Sequence, residues 1–336
     1  MDPITDAREI TRIAYGFKAS KALLVAIDLD IFSRLSATGA SLAELADATA
    51  VPESNLETLL TALVSMGLLS RDGDRFANAP ACEDYLVRGK RTYFGDYFNL
   101  QTDQFIFPGY ADLGAVIRRQ GRSDVWHDYE SLRQDDATAA RFSEGQHAGS
   151  LGPAVALSKQ LDLGGRGALL DVAGGSGAFT IMLCRRHPGL SATILDFPTA
   201  LPVAERFLGE AGLADRVDLH AGNAIDDAWP AGHDVVLMSY LFNAVAGRDL
   251  AVLAGNAFAA LPAGGLLVVH DFMVENDKTG PRDAALWFLT CMFNVPEAIM
   301  LTPAVVEGIA GDAGFTGIET RDLIPGLTKM TVALKP

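Results

Sequence analysis

The chain has 336 residues, 49% of them hydrophobic, and a mean hydropathy of +0.19. That is enough apolar material for one large or two ordinary domains with substantial cores. A formal charge of −15 and a pI near 4.7 argue against duplex nucleic acid as a ligand, which needs clustered Lys and Arg. The three cysteines, Cys82, Cys184 and Cys291, form no CxxC pair, which argues against a disulfide framework or a structural zinc site. With no basic-apolar leader, and no apolar run reaching the roughly 18 residues of a membrane span, a cytoplasmic, soluble protein is expected.

In chain order, residues 1–91 read as helices closed by a hairpin. Ile10, Ile13, Phe17, Leu24, Ile27 and Ile31 recur at helical spacing and predict one apolar stripe. SLAELADATA and VPESNLETLLTALVSMGLL predict two helices with a turn at Val51-Pro52, and Ser54 with Glu57 has the form of a capping box. The polar hairpin SRDGDRFANA follows, so the outline is that of a winged helix. Its candidate recognition helix carries Glu53 and Glu57 and no Lys or Arg, so the unit is read as a packing and dimerisation module and not as a DNA reader.

Residues 92–150 form an aromatic-rich connector, and residues 151–336 change rhythm. The short apolar runs ALLDV, SATILD, RVDLH, HDVVLMS and GLLVVHD alternate with helix-like stretches, which predicts a doubly wound parallel sheet with helices on both faces. The tail, with two runs around Pro325-Gly326, suits a terminal antiparallel hairpin.

The first of these strands runs into DVAGGSGAF, Asp171 to Phe179. Glycines there let the backbone turn tightly beside a ligand at the positive end of the next helix. Nineteen residues after Gly177 the second strand ends in Asp196, placed to accept ribose hydroxyls. A dinucleotide site wants G-x-G-x-x-G/A, but Thr180 occupies the third position. Asp171, just before the glycines, suits a cationic amino-acid ligand, which favours S-adenosylmethionine over NAD.

DVAGGSGAF, LDFPTALPVAE, RVDLHAGNAI and LPAGGLLVVHD, with the N-terminal unit, resemble the successive motifs of the small-molecule O-methyltransferases. This family includes the plant caffeic-acid type and bacterial relatives of pigment and polyketide pathways. The resemblance covers nearly the whole chain. It implies a class I methyltransferase fold, a homodimer and S-adenosylmethionine as cofactor. By position, Gly174, Gly175 and Gly177 would line the methionine part, Asp196 the ribose and Phe197 the adenine edge, with Asn223, Ala224 and Ser239 completing the cofactor site. Asn223 stands where many relatives have an Asp to the adenine amine; the other reading of Asn223 is an Asx-turn.

One departure concerns the chemistry. Caffeic-acid-type relatives carry a His-Asp pair after the fourth strand, and the His takes the acceptor's proton; here Phe242-Asn243 stands in that place. Of the two acidic residues that hold that His, one corresponds to Asp271 and the other falls at Met300. The alternatives are O-methylation by positioning, as in anthracycline methyltransferases with an apolar-Asn pair, attack by a carbon acceptor, or non-methyl-transfer chemistry such as hydroxylation. Substitute catalytic groups are His147, Tyr240 and Asp271. Strand alternation turns His270 and Asp271 to opposite faces, and Asp271 is expected to reach the pocket. His127 reads as a surface or lid residue.

Phe98, Phe105, Phe242, Asn243, Trp287, Met292 and Met300 are expected in the substrate pocket, whose aromatic walls suit a flat, apolar acceptor. No metal site is expected, since no ligand pair has a metal-binding spacing.

Overall fold

The computed structural model describes residues 3–119, 136–295 and 297–336. It divides into two compact units, Met1–Gln104 and Phe105–Pro336. The division falls within the aromatic-rich stretch 92–150.

The first unit opens with α1 (Ala7–Asp28), whose start is capped by Asp6, and α2 (Ile31–Leu35). Then come β1 (Ala40–Ser41), α3 (Leu42–Thr49), α4 (Glu53–Ser65), β2 (Leu69–Asp72), β3 (Arg75–Asn78) and α5 (Pro80–Tyr85). The three strands pair antiparallel in the order β1-β3-β2, which completes the winged-helix outline. Ile27, Ile31, Phe32, Leu56, Leu60, Leu63 and Phe76 form its core.

Two local details depart from the sequence reading. The capping box belongs to α3, where Ser41 and Glu44 bond each other's backbone N–H, and not to Ser54-Glu57. Helix α4 starts at Glu53 with Pro52 as its N-cap, so Ser54 already lies inside the first turn. The apolar stripe running from α1 into α2 also splits. Leu24, Ile27 and Ile31 are buried, whereas Ile10, Ile13 and Phe17 are between 57% and 64% exposed.

The second unit begins with α6 (Phe107–Gly109), α7 (Leu113–Arg119) and the long α8 (Asp136–Gln160). The sheet strands and helices follow in alternation: β4 (Ala168–Val172), α9 (Ala178–Arg186), β5 (Ser191–Asp196), α10 (Leu201–Ala211), β6 (Val217–Ala221) and β7 (Val235–Ser239). The remainder is α11 (Leu250–Ala260), β8 (Leu266–Phe272), α12 (Arg282–Asn294), α13 (Pro303–Asp312), β9 (Thr316–Ile324) and β10 (Thr328–Leu334).

The seven strands lie in the order β6-β5-β4-β7-β8-β10-β9, and only the C-terminal hairpin is antiparallel. Alternation sorts the strand side chains between two cores. Leu169, Leu237 and Val268 pack on one face with α8 and α9, while Leu170, Met238 and Val269 pack on the other with α11 and α12. From β4 the chain winds outward through β5 and β6, then returns to β7 on β4's other side. That reversal opens a crevice at the C-terminal ends of β4 and β7, where ligands of such sheets bind.

Candidate active site

A cavity of about 500 Å³ fills that crevice. One wall is polar and turns on the glycine segment after β4. Ala173, Gly175 and Gly177 all have positive φ, and Gly177 caps the start of α9. A Cβ on Gly174 would lie 2.8 Å from the Asp171 carboxyl carbon, so the turn has no room for a side chain there.

Two carboxylates hold this wall in shape. Asp196 Oδ2 accepts from Gly175 N–H at 2.7 Å and its Oδ1 from Phe197 N–H at 2.6 Å, tying the end of β5 to the glycine turn. Asp171 Oδ2 accepts from the Thr180 hydroxyl at 2.6 Å. Thr180, which breaks the dinucleotide pattern, thus serves Asp171. Burial, more than any other cause, pushes Asp171 up to about 7 and raises Asp196 as well. No salt bridge among the described residues neutralises either. Two desolvated carboxylates beside a tight glycine turn fit a cationic ligand with vicinal hydroxyls, as S-adenosylmethionine is.

Gly174, Gly175, Asp171, Asp196, Phe197, Asn223, Ala224, Ser239 and Tyr240 all line the cavity. Gly177 shapes it from behind. Asn223 makes the Asx-turn, its Oδ1 accepting from Ile225 N–H at 3.0 Å while its amide donates to Asp226 at 2.6 Å. Apolar side chains also line the cavity, among them Phe142, Phe179, Leu241, Val245 and Val295. Tyr240 has a φ of 58°, a strained conformation of the kind that collects at functional sites.

Other expected site residues lie elsewhere. His147 does not line the cavity. Ala139, Phe142, Ser143, Gln146 and Ser150 are the cavity face of α8. One residue round the helix, His147 stacks on Phe207 with ring centroids 3.6 Å apart, and its Nδ1 lies 2.9 Å from Ser176 Oγ. Burial, then the charges of Arg206 and Arg185, push its pKa down to about 4, so it is a poor proton acceptor.

Asp271, expected in the pocket, faces the other way. It is fully buried and accepts from Asn243 N–H at 3.1 Å, Asn243 Nδ2 at 2.6 Å and Phe272 N–H at 2.7 Å. Trp287 Nε1 donates to Asn243 Oδ1 at 3.2 Å. The buried Asn243 and Asp271, with the half-buried Trp287, therefore form one clasp that pins the turn whose Leu241, Ala244 and Val245 line the cavity. Phe242 is 2% exposed and belongs to the core. Met292 and Met300 are exposed and line nothing in the cavity. Phe105 packs edge-on against Phe142, one layer back from it. Phe98 lies in the first unit, against that unit's own core. His127 lies outside the described residues.

Sequence reasoning missed Ser176, Thr199 and an ion pair on the cavity wall, Arg248 Nη1 to Glu297 Oε2 at 2.5 Å. No motif marks the pair, because it joins segments 49 residues apart, whereas Ser176 and Thr199 lie within the motifs DVAGGSGAF and LDFPTALPVAE. Among the described residues no group of three or more His, Cys, Asp or Glu could hold a metal ion.

An open α/β sheet with a glycine turn, the buried Asp171 and the half-buried Asp196 at its switch point has the form of a nucleotide-cofactor site. Comparison with known proteins narrows the class. An O-methyltransferase domain model matches residues 110–316, and an O-methyltransferase dimerisation domain model matches 11–88. The chain is 32% identical to the 3-hydroxy-5-methyl-1-naphthoate 3-O-methyltransferase of Streptomyces sahachiroi, over 82% of this chain and 80% of that one. It is 29% identical to the tetracenomycin polyketide synthesis 8-O-methyl transferase TcmO of Streptomyces glaucescens, over the full length of both. An O-methyltransferase family protein from Burkholderia thailandensis has the same fold, with a TM-score of 0.85 at 24% identity over 99% of each chain. The chain belongs to the O-methyltransferase family. It is an S-adenosylmethionine-dependent methyltransferase with the class I fold.

Proposed function

We propose that this enzyme methylates a hydroxyl of a small, flat aromatic secondary metabolite, and that it works by holding the acceptor in place and not through an imidazole base. The observation that carries this reading is the cavity's lining: the glycine turn with Asp171 and Asp196, the aromatic side chains Phe142, Phe179 and Tyr240, and no histidine among the described residues. The donor is taken to lie along Asp171, Gly174, Gly175, Asp196 and Ser239, and the acceptor against Phe142, Phe179, Tyr240 and Leu241. Aromatic walls suit a planar guest, and both Streptomyces relatives are named as O-methyltransferases of aromatic or polyketide substrates.

Bound S-adenosylmethionine supplies an activated methyl on a sulfonium. The chain's part is to align the acceptor oxygen and keep water out, and such proximity is worth about 7–11 kcal/mol of barrier. The test is a pH–rate profile for a series of hydroxynaphthoic acids of graded phenol acidity. Positioning predicts an inflection that moves with each acceptor's own ionisation. A fixed inflection near the ordinary histidine range for every acceptor would reject the reading.

The exposed Ile10, Ile13 and Phe17 on α1, within the matched dimerisation domain, support a homodimer. Replacing both Ile13 and Phe17 by Glu is expected to give a monomer in sedimentation equilibrium while α3 and α4 stay folded; an unchanged dimer would place the interface elsewhere. The acidic α4 supports the absence of nucleic acid as a partner. No helix among the described residues is long and apolar enough to cross a membrane. Three buried free cysteines support a reducing, cytoplasmic setting.

A further inference from the structure

Four polar side chains share one face at the C-terminal edge of the sheet. The parallel register pairs Ser239 with His270, and its continuation brings Asp196 to the same level, with Asp171 two residues deeper. Asp171, Asp196 and Ser239 line the cavity. His270 stands directly behind Ser239, fully buried, with Nδ1 2.8 Å from Ser239 Oγ. Its Nε2 has no hydrogen-bond partner among the described residues. The rings of Tyr240 and Phe179 surround it, with centroids 4.5 Å and 5.4 Å away. The preceding four residues of β8 are aliphatic, and a fifth apolar side chain here would leave no buried nitrogen unpaired. A histidine in this place costs stability, which points to a use.

We propose that His270 is a positioning residue for the methyl donor: its Nδ1–H donates to Ser239 Oγ, so the serine's own O–H turns into the cavity to bind the carboxylate at the donor's amino-acid end. This rests on the donor placement given above. Burial keeps the ring neutral, with its pKa pushed down to about 3, so it carries a single N–H. Placing that proton on Nδ1 leaves Nε2 as a bare acceptor. The other tautomer would leave a buried N–H without an acceptor, and orphaned donors are the rarer case. Asp171 and Asp196 repel an anion from the β4 and β5 ends. The donor's carboxylate is thereby directed toward β7, where Ser239 offers a hydroxyl.

The test is calorimetric titration of the full chain with S-adenosylhomocysteine and with 5′-methylthioadenosine, which lacks the carboxylate. Ser239→Ala and His270→Phe are each expected to weaken S-adenosylhomocysteine by about tenfold, as loss of a hydrogen bond to a charged group does, and to leave methylthioadenosine unchanged. The double variant should bind no more weakly than Ser239→Ala alone. His270→Phe should melt at or above the wild-type temperature, because it removes an unpaired nitrogen; a residue with a merely structural role would lower it. His270→Asn, which can still donate to Ser239, is the rescue variant and the fallback if the Phe variant does not fold. Undiminished S-adenosylhomocysteine binding by His270→Phe, equal losses for both ligands, or losses that multiply in the double variant would each overturn the proposal. Failure of the wild type to bind either ligand would instead remove the donor placement beneath it.

Discussion

Asn243→Asp is expected to lower the melting temperature by roughly 10 °C at pH 7.5, from the 3–5 kcal/mol typical of a buried charge left unpaired. Asn243 is buried, and its amide donates to Asp271 Oδ1 at 2.6 Å, while its carbonyl accepts from Trp287 Nε1. An Asp there keeps the acceptor but removes the donor, and sets two carboxylates face to face with no cation among the described residues to separate them. One of the two must then hold a proton. Burial already raises Asp271 from 3.8 to about 7 in the folded chain. A carboxyl with a raised folded pKa favours folding while protonated, below its unfolded value, and loses that contribution as pH rises toward the folded value. The variant should therefore recover much of its deficit at pH 5. A loss of melting temperature equal at pH 5 and pH 7.5, or no loss at all, would show that the Asn243–Asp271 bond is not what holds this turn.

Asp196→Ala is expected to weaken S-adenosylhomocysteine binding by about tenfold to a hundredfold, with fluorescence or calorimetric titration as the readout. The side chain does two things. It presents a half-buried carboxylate to the cavity, suited to a pair of ribose hydroxyls, and it anchors Gly175 N–H at 2.7 Å and Phe197 N–H at 2.6 Å. Hydrogen bonds to a charged group are worth about 1.5–3 kcal/mol each, so losing the ligand's share alone reaches this range. Relaxation of the glycine turn adds to it. Binding within a factor of about two of wild type would remove Asp196 from the donor site.

Much of the site was legible because it is local. The glycine run sits at the end of an apolar strand, and Asp171 and Asp196 are separated from it by one turn and one crossover. Any chain that folds this βαβ unit puts the two carboxylates beside the turn. The Phe242-Asn243 pair, where caffeic-acid-type relatives carry His-Asp, was also visible. The apolar residues expected in the pocket were less well placed. Trp287 and Phe242 read as lining residues by composition, yet both pack behind the wall, because a hydrophobic residue in such a segment fills the core and the cavity equally well by pattern.

From sequence alone the chain determines a doubly wound sheet with a terminal hairpin, a winged-helix unit before it, and a nucleotide-type turn, since each follows from short-range periodicity and backbone stereochemistry. The tertiary structure alone decided which way the paired side chains face. Strand β8 is buried along its whole length, so it carries no polar side to reveal its orientation. Alternation said only that His270 and Asp271 diverge. Pairing with β7 turned His270 to Ser239 and the cavity, and Asp271 to Asn243 on the opposite face. His147 followed the same rule on a helix. A rotation of one residue on α8 takes it from the cavity to Phe207, and the packing of α8 against α9, α10 and β9 fixes that rotation.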